Sequence, residues 1–507
     1  MKYKVKLYKG GKYTDLVVEE GENLLKCIQE NEDEFFAPCG GNGTCGKCRV
    51  KIINDGHVTS CLYYVHKDIE VLLPEVLEMK VLSSQYHLSK STWPEPLAAF
   101  NLAAMPYGLA IDIGTTTMVF YFVNLVTGSS VSVKTEMNPQ SKFGSDVISR
   151  INYGELNDGG VENLQKVLLN SINNALEGFY NDLGITKQDL VRVSIVGNST
   201  MLHNLLGINA LPLAHAPFTP VFTDTKRIKA SNLNLNTHPE ADIVLSPSLS
   251  AYVGADIIAG LNSLDTKKLN STYLFIDIGT NGEMALVTPE KTLSCATAAG
   301  PAFEGANISC GMTAKNGAIS KFSGKKYEVI ANIEPIGICG SGLIDIVAEM
   351  LNNNLLSQDG KIEEDFVVYQ SENNKPISIS QQDIREVQLA KSAIMSGIIR
   401  LLSISGITTG DLSHVILAGG FGNYIDIKSA IKIGLLPDID VGKYIQVGNT
   451  AGTGAMLALK SEKYITEMEE LKDKMEYIEL STDDDFSMEF AMNMFFPILR
   501  SYEKNYY

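Results

Sequence analysis

The chain opens with two stretches in which apolar and polar residues partly alternate, residues 2–8 and 13–18, joined by Gly10-Gly11. Because successive side chains of a strand point to opposite faces, this period of two predicts a β-hairpin. Leu24, Leu25 and Ile28 then recur at helical spacing, and strand-like runs follow at 49–53 and 69–73. A hairpin, a helix and further strands predict an α+β, β-grasp domain over residues 1–85. The stretch 86–106, which contains STWPEPLAAFNLAAMP, is punctuated by proline and holds no period, as expected of a linker. From 107 to 461, short apolar runs alternate with helical stretches, which predicts an α/β domain with mainly buried strands. The segment 462–507 starts rich in charge and ends on MEFAMNMFFPILR, an apolar tail expected to pack back onto the second half.

One pattern occurs twice. Gly108-Leu-Ala-Ile-Asp112-Ile-Gly114-Thr-Thr-Thr and Leu274-Phe-Ile-Asp277-Ile-Gly279-Thr-Asn-Gly-Glu share a strand followed by Asp-x-Gly-Thr, so 107–461 reads as a duplicated domain of two lobes. Gly114 stands where backbone must approach a ligand closely, and Thr115, Thr116 and Thr117 offer hydroxyls and amides to phosphate oxygens. Asp112 would hold a hydrated Mg²⁺. Asp277, Gly279, Thr280 and Asn281 supply the same elements from the second copy, so that the two loops would clamp a triphosphate. Neither a Walker A loop nor a dinucleotide turn is present in these motifs. A third motif, Val415-Ile-Leu-Ala-Gly419-Gly420-Phe421, runs a buried strand into paired glycines suited to lie flat against an adenosine. Gly340-Ser341-Gly342 and Gly448-Asn-Thr-Ala-Gly-Thr-Gly-Ala read as helix starts, serving either the nucleotide or tight packing between helices. Glu304 is a candidate to polarise an attacking water, with helix capping or magnesium contact as alternatives.

Cysteine usage adds a second chemistry. Cys39, Cys45, Cys48 and Cys61 follow C-x5-C-x2-C-x12-C within PCGGNGTCGKCRV and TSCL. Thiolates are soft ligands for iron or zinc, but zinc sites usually offer paired C-x2-C knuckles. Gly40, Gly41, Gly43 and Gly46 let the backbone wrap closely and aim amides at sulfur, which favours a [2Fe-2S] cluster over zinc. Cys27, Cys295, Cys310 and Cys339 lack such company and read as small buried side chains. The 507 residues point to two to four domains, and a formal charge of −17 argues against nucleic acid or an anionic membrane as partner. With no export signal or long apolar run recognised, a cytoplasmic protein is expected.

The cysteine loop resembles the ferredoxin domain of the reductive activators of corrinoid proteins, whose loop also reads C-G-G-x-G-x-C-G-x-C. The duplicated aspartate loops resemble the actin, Hsp70 and sugar-kinase superfamily, with its ribonuclease-H-like lobes. More narrowly, Asn138-Pro-Gln, Gly144-Ser-Asp-Val-Ile-Ser-Arg, Val196-Gly-Asn-Ser-Thr-Met-Leu-His, Tyr252-Val-Gly-Ala-Asp, Gly300-Pro-Ala-Phe-Glu-Gly-Ala and Ile338-Cys-Gly-Ser-Gly-Leu-Ile-Asp resemble the ATPase half of the same activators. The resemblance implies a homodimer, a corrinoid protein as partner and an ATPase that drives single electrons onto cobalt. An electron donor such as a ferredoxin or flavoprotein would be needed. Two departures follow: the spacing of 12 residues before Cys61 is short for such ferredoxins, and no room is expected for a separate middle domain. The forms with a further C-terminal cluster do not apply, because no cysteine follows Cys339. His203 reads as a hydrogen-bonded histidine at a helix edge rather than a corrinoid ligand. The other readings are a small-molecule kinase, an activator of another low-potential metalloenzyme such as a radical dehydratase, and a redox-sensing binding module.

Overall fold

A computed structural model of the chain describes residues 1–9, 12–32, 35, 41, 43, 48–53, 55–73, 90, 94–265, 269, 272–324, 326–370 and 376–497. They divide into two compact units. The first holds the described residues of Met1–Met79 and Trp93–Leu245 with Leu459–Ser461, and the second holds those of Lys80–Thr92, Ser246–Ala458 and Glu462–Tyr507.

Within the first unit, β1 (Lys2–Lys9) and β2 (Lys12–Glu19) pair antiparallel, with Lys2 opposite Glu19 and Lys9 opposite Lys12. The alternation works as expected, since Val5 and Leu7 are buried while Lys4 is exposed. Helix α1 (Leu24–Gln29) starts at Asn23, whose Oδ1 accepts from the Leu25 amide at 3.1 Å. Strands β3 (Arg49–Ile52), β4 (Gly56–Thr59) and β5 (Ile69–Leu72) complete a sheet of order β2-β1-β5-β3-β4, in which β5 runs parallel to β1. This is the β-grasp arrangement. Strand β4 was not foreseen, because Gly56-His-Val-Thr is a short edge segment without a core-facing alternation. Gly10 and Gly11 lie outside the described residues.

The second sheet of this unit has the order β10-β11-β9-β6-β7-β8. Its centre is β6 (Tyr107–Ile113), antiparallel to β7 (Thr117–Asn124), which pairs antiparallel with β8 (Ser130–Met137). Helices α2 (Val147–Leu156) and α3 (Gly160–Leu183) follow, then β9 (Leu190–Gly197), which is parallel to β6, and α4 (Ser199–Leu205). Strands β10 (Lys226–Lys229) and β11 (Asp242–Leu245) close one edge. Leu164, Leu168, Ile172, Ala175 and Phe179 form one buried stripe of α3, and Phe179 meets Phe122 of β7 at 4.9 Å.

In the second unit, β12 (Tyr273–Ile278), β13 (Gly282–Val287) and β14 (Thr292–Thr297) repeat the antiparallel trio, and the parallel strand His414–Ala418 flanks β12 as β9 flanks β6. The helix Gln381–Ser405 lies on this sheet and is capped by Ser380 and Asp383. It has the length and composition to cross a membrane, unlike the expectation from sequence, yet 67% of its apolar window is buried inside the unit. The helix Asp484–Asn493 packs against it. There Gln388 Nε2 donates to the Met494 carbonyl at 2.8 Å, Lys391 Nζ to the Asn493 and Phe495 carbonyls at 2.5 and 2.8 Å, and Ser392 to the Phe490 carbonyl. Burial draws the Lys391 ammonium down to about 8. Lys391→Ala would take this donor from two part-buried carbonyls, so it is expected to lower stability by about 1–3 kcal/mol in urea unfolding followed by circular dichroism.

Candidate functional site

Antiparallel pairing of β3 with β4 sets Arg49 opposite Thr59, which brings Cys48, just before β3, beside the turn Ser60–Leu62. The Ser60 amide and hydroxyl both donate to the Cys48 carbonyl at 2.8 Å, and the Cys61 amide reaches Cys48 Sγ at 3.4 Å. Asn23 Nδ2 in turn donates to the Cys61 carbonyl at 2.9 Å, which ties this turn to the start of α1. The separation of 12 residues is therefore the span of one tight hairpin. Cys48 and Cys61 are buried, and an amide directed at sulfur fits a thiolate that carries a metal. Gly41 and Gly43 hold φ of +85° and +76°, and a Cβ on either would strike Leu25 or Leu62 at 2.9 and 2.7 Å. Cys39, Cys45, Gly40 and Gly46 lie outside the described residues, and among the described residues no three potential ligands gather to hold a metal ion. Of the remaining cysteines, Cys27, Cys295 and Cys339 are buried, whereas Cys310 is only half-buried. Burial pushes the Cys27 thiol up to about 11.

In the first unit, Asp112 ends β6, and the loop from Gly114 to Thr117 closes through the Gly114 amide and the Thr117 carbonyl at 2.9 Å. A Cβ at Gly114 would lie 2.8 Å from that carbonyl, so the turn itself demands glycine. Two fully buried side chains take up the loop's carbonyls. Asn138 Nδ2 donates to Gly114 at 2.7 Å, and Arg150 Nη2 donates to Thr115 at 2.6 Å. Asn198, the cap of α4, donates to Thr115 Oγ1 at 2.9 Å. These three residues belong to the motifs quoted above, but their task as a scaffold is visible only here. His203 is buried, with Nδ1 2.7 Å from the Ser199 carbonyl and Nε2 accepting from the Val221 amide at 3.1 Å. Burial lowers its pKa, which suits a neutral structural imidazole.

The second unit collects more of the expected residues. Asp277 pairs with Ala418 across the parallel strands, and a Cβ on Gly419, whose φ is +81°, would lie 2.3 Å from Asp277 Oδ1. Gly420 faces open space. The Gly279 amide donates to the Asn281 carbonyl at 2.9 Å, and Thr280 Oγ1 donates to Glu304 Oε1 at 3.0 Å. Phe303, next to Glu304, stacks on Phe421 at 5.2 Å, and a Cβ on Gly340 would collide with the Phe303 carbonyl. Asp277, Thr280, Glu304, Gly340, Gly419 and Phe421 thus share one end of the sheet. Ser341 instead donates to the Ser320 carbonyl at 2.8 Å, and Gly342 lies against the Ile319 carbonyl, so both serve the seam beneath. Two acids were not singled out from sequence: Glu283, opposite Asp277 on β13, and Asp256 on the helix Ala255–Asn262. Burial, then the charges of Asp256 and Asp277, push the Glu283 carboxyl well above its ordinary range.

Comparison with known proteins follows from this geometry. A family described as the C-terminal domain of RACo, the ASKHA domain, matches residues 271–505, and one described as the RACo middle region matches 107–268. The second match corrects the expectation that no room exists for a middle domain, because that region is the stretch read from sequence as the first lobe. The chain is 35% identical over 418 residues to a corrinoid activation enzyme, RamQ, of Eubacterium limosum, covering 77% of this chain and 70% of that protein. It is 26% identical over 417 residues to the [Co(II) methylated amine-specific corrinoid protein] reductase of Methanosarcina barkeri, covering 75% and 74%. A solved structure titled reductive activator for corrinoid,iron-sulfur protein is similar with a TM-score of 0.72 at 31% identity over 98% of both chains. Asn138→Ala would leave the part-buried Gly114 carbonyl without this donor; a loss of about 1–3 kcal/mol is expected in urea unfolding, and an unchanged midpoint would remove Asn138 from the scaffold.

Proposed function

The chain belongs to the reductive activators of corrinoid proteins, and on that premise we propose that it returns the Co(II) of a corrinoid protein to Co(I), one electron at a time, at the expense of ATP. A [2Fe-2S] cluster held by Cys39, Cys45, Cys48 and Cys61 would supply the electron, and Mg-ATP the driving force. The observation that carries this reading is the Cys61 amide directed at Cys48 Sγ at 3.4 Å, in a chain that also carries two aspartate loops of one design. An amide at sulfur stabilises negative charge there and so bears on the potential of whatever the thiolates hold.

Driving force is needed for a thermodynamic reason. Cluster potentials near about −400 mV are common for all-cysteine ligation, and each further 59 mV costs about 1.4 kcal/mol per electron. Binding energy released in one conformation of an ATPase and not in another is a source of that free energy. In this reading, within the second unit Asp277 would orient hydrated magnesium, Thr280 and Asn281 would offer amides and hydroxyls to phosphate oxygens, and Gly419, Gly420 and Phe421 would receive the adenosine; within the first unit Asp112 with Thr115, Thr116 and Thr117 would offer groups of the same kind. Glu304, held by Thr280, is the candidate to orient water. The partners are a corrinoid protein and a low-potential electron donor such as a ferredoxin or flavoprotein, with a homodimer as the assembly.

Mixed anaerobically in its reduced form with a Co(II) corrinoid protein, the protein is expected to generate Co(I) absorbance only with Mg-ATP. An iron-free protein after reconstitution, or no ATP-dependent signal with several corrinoid partners, would overturn the proposal. Gly419→Ala, which forces a methyl group against Asp277, is expected to weaken adenine nucleotide binding at least about tenfold, about 1.4 kcal/mol, in calorimetric titration while leaving the iron content unchanged.

A further inference from the structure

Beside the buried thiols, two large apolar side chains stand in solvent. Leu62 is 62% exposed and Tyr64 is 54% exposed, and they follow directly on Cys61, which is 5% exposed. Singly exposed apolar residues are ordinary. These two differ in standing on a segment, next to Cys61, whose backbone is tied to the start of α1. The Cys61 carbonyl is bound by Asn23, the Leu24 amide donates to the Tyr63 carbonyl at 2.9 Å, and the Val65 amide donates to the Glu22 carbonyl at 2.9 Å. Asn23 and Tyr64 also form an isolated β-bridge. The backbone of this segment is therefore spent on α1, and the side chains of Leu62 and Tyr64 are left exposed on an ordered backbone, which lowers the cost of ordering on contact. Leu62 also lies over Gly43 of the cysteine loop, close enough that any Cβ there would touch it.

Charge decides what such a surface fits. Residues 1–73 carry 10 lysines and arginines and 11 acids, a net of 10 − 11 = −1, whereas the whole chain carries −17, so nearly all the negative charge lies elsewhere. From Ser60 to His66 there is no Lys, Arg, Asp or Glu. Small soluble electron carriers with acidic faces need a basic patch, and this turn offers none. An uncharged face rimmed by methyl and amide groups, as a corrin macrocycle presents, suits an aliphatic side chain beside a phenol.

We propose that Leu62 and Tyr64 form the contact through which the corrinoid protein approaches the cysteine centre, with the exposed face of its corrin against this turn. The inference rests on the function proposed above and adds where the electron acceptor docks. Leu62→Asp and Tyr64→Ala each keep the backbone contacts of the turn, so iron content and reduction by a chemical reductant are expected to remain those of the unaltered protein. Electron transfer to the Co(II) corrinoid protein is expected to fall at least about tenfold, the scale of an interface hot spot, while transfer to a small viologen acceptor stays unchanged. A benzophenone side chain placed at position 64 is expected to cross-link to the corrinoid protein on illumination, a readout independent of turnover. Unchanged transfer to the corrinoid protein in both variants, or an effect confined to reduction by a protein donor, overturns the proposal. So does a loss of iron in both variants, which would make the pair a shield for the cluster. If the unaltered protein itself yields no Co(I), the broader function fails instead.

Discussion

Two antiparallel registers shape the candidate nucleotide loops: Asp112 opposite Val119 and Asp277 opposite Glu283. Each sets an acid at the end of a central strand just before a turn whose backbone groups have left the sheet ladder. Such groups must find other partners when buried, because an unsatisfied carbonyl costs about 1–3 kcal/mol. Both loops close through their own glycine amide, and the first adds Asn138 and Arg150, which donate to its carbonyls. The surrounding motifs are largely the parts that make these two turns tenable, and the same parts leave an acid and small residues at each turn.

The two loops are alike in backbone and unlike in surroundings. Around Asp112 the fixed charge is a buried guanidinium directed at carbonyls, whereas Asp277 shares its neighbourhood with Asp256 and with Glu283, whose carboxyl is held towards the neutral form. A duplicated element can thus retain one hairpin geometry while its electrostatics diverge.

The thiol turn obeys the same rule of accounting for every polar backbone group. Ser60 satisfies the Cys48 carbonyl, Asn23 satisfies that of Cys61, and the Cys61 amide is thereby free to point at sulfur. Order comes from hydrogen bonds rather than from bulk, in a small domain whose apolar core includes Val5, Leu24, Ile28, Val50 and Val71. At the other end of the chain, the helix Gln381–Ser405 uses side chains from one face to grip the carbonyls of Phe490, Asn493, Met494 and Phe495.

Much was legible in the sequence because its signals are local. Alternation marks β1, an Asp-x-Gly-Thr after an apolar run marks each hairpin, the helical spacing of Leu24, Leu25 and Ile28 marks α1, and cysteine spacing with glycines marks a ligand loop. Tertiary structure alone decided the rest. Strand β4 exists because β3 offers it a pairing edge, not because Gly56-His-Val-Thr prefers to be a strand. Asn138 and Arg150 become the supports of a loop more than 20 residues before them, and Glu283 acquires its raised pKa first from burial and then from Asp256, which lies on another element. Ser341 and Gly342 turn to the seam while Gly340 stays with Phe303 and Phe421. Which partner a buried polar group or a glycine meets depends on contacts between distant segments, and no period along one segment encodes them.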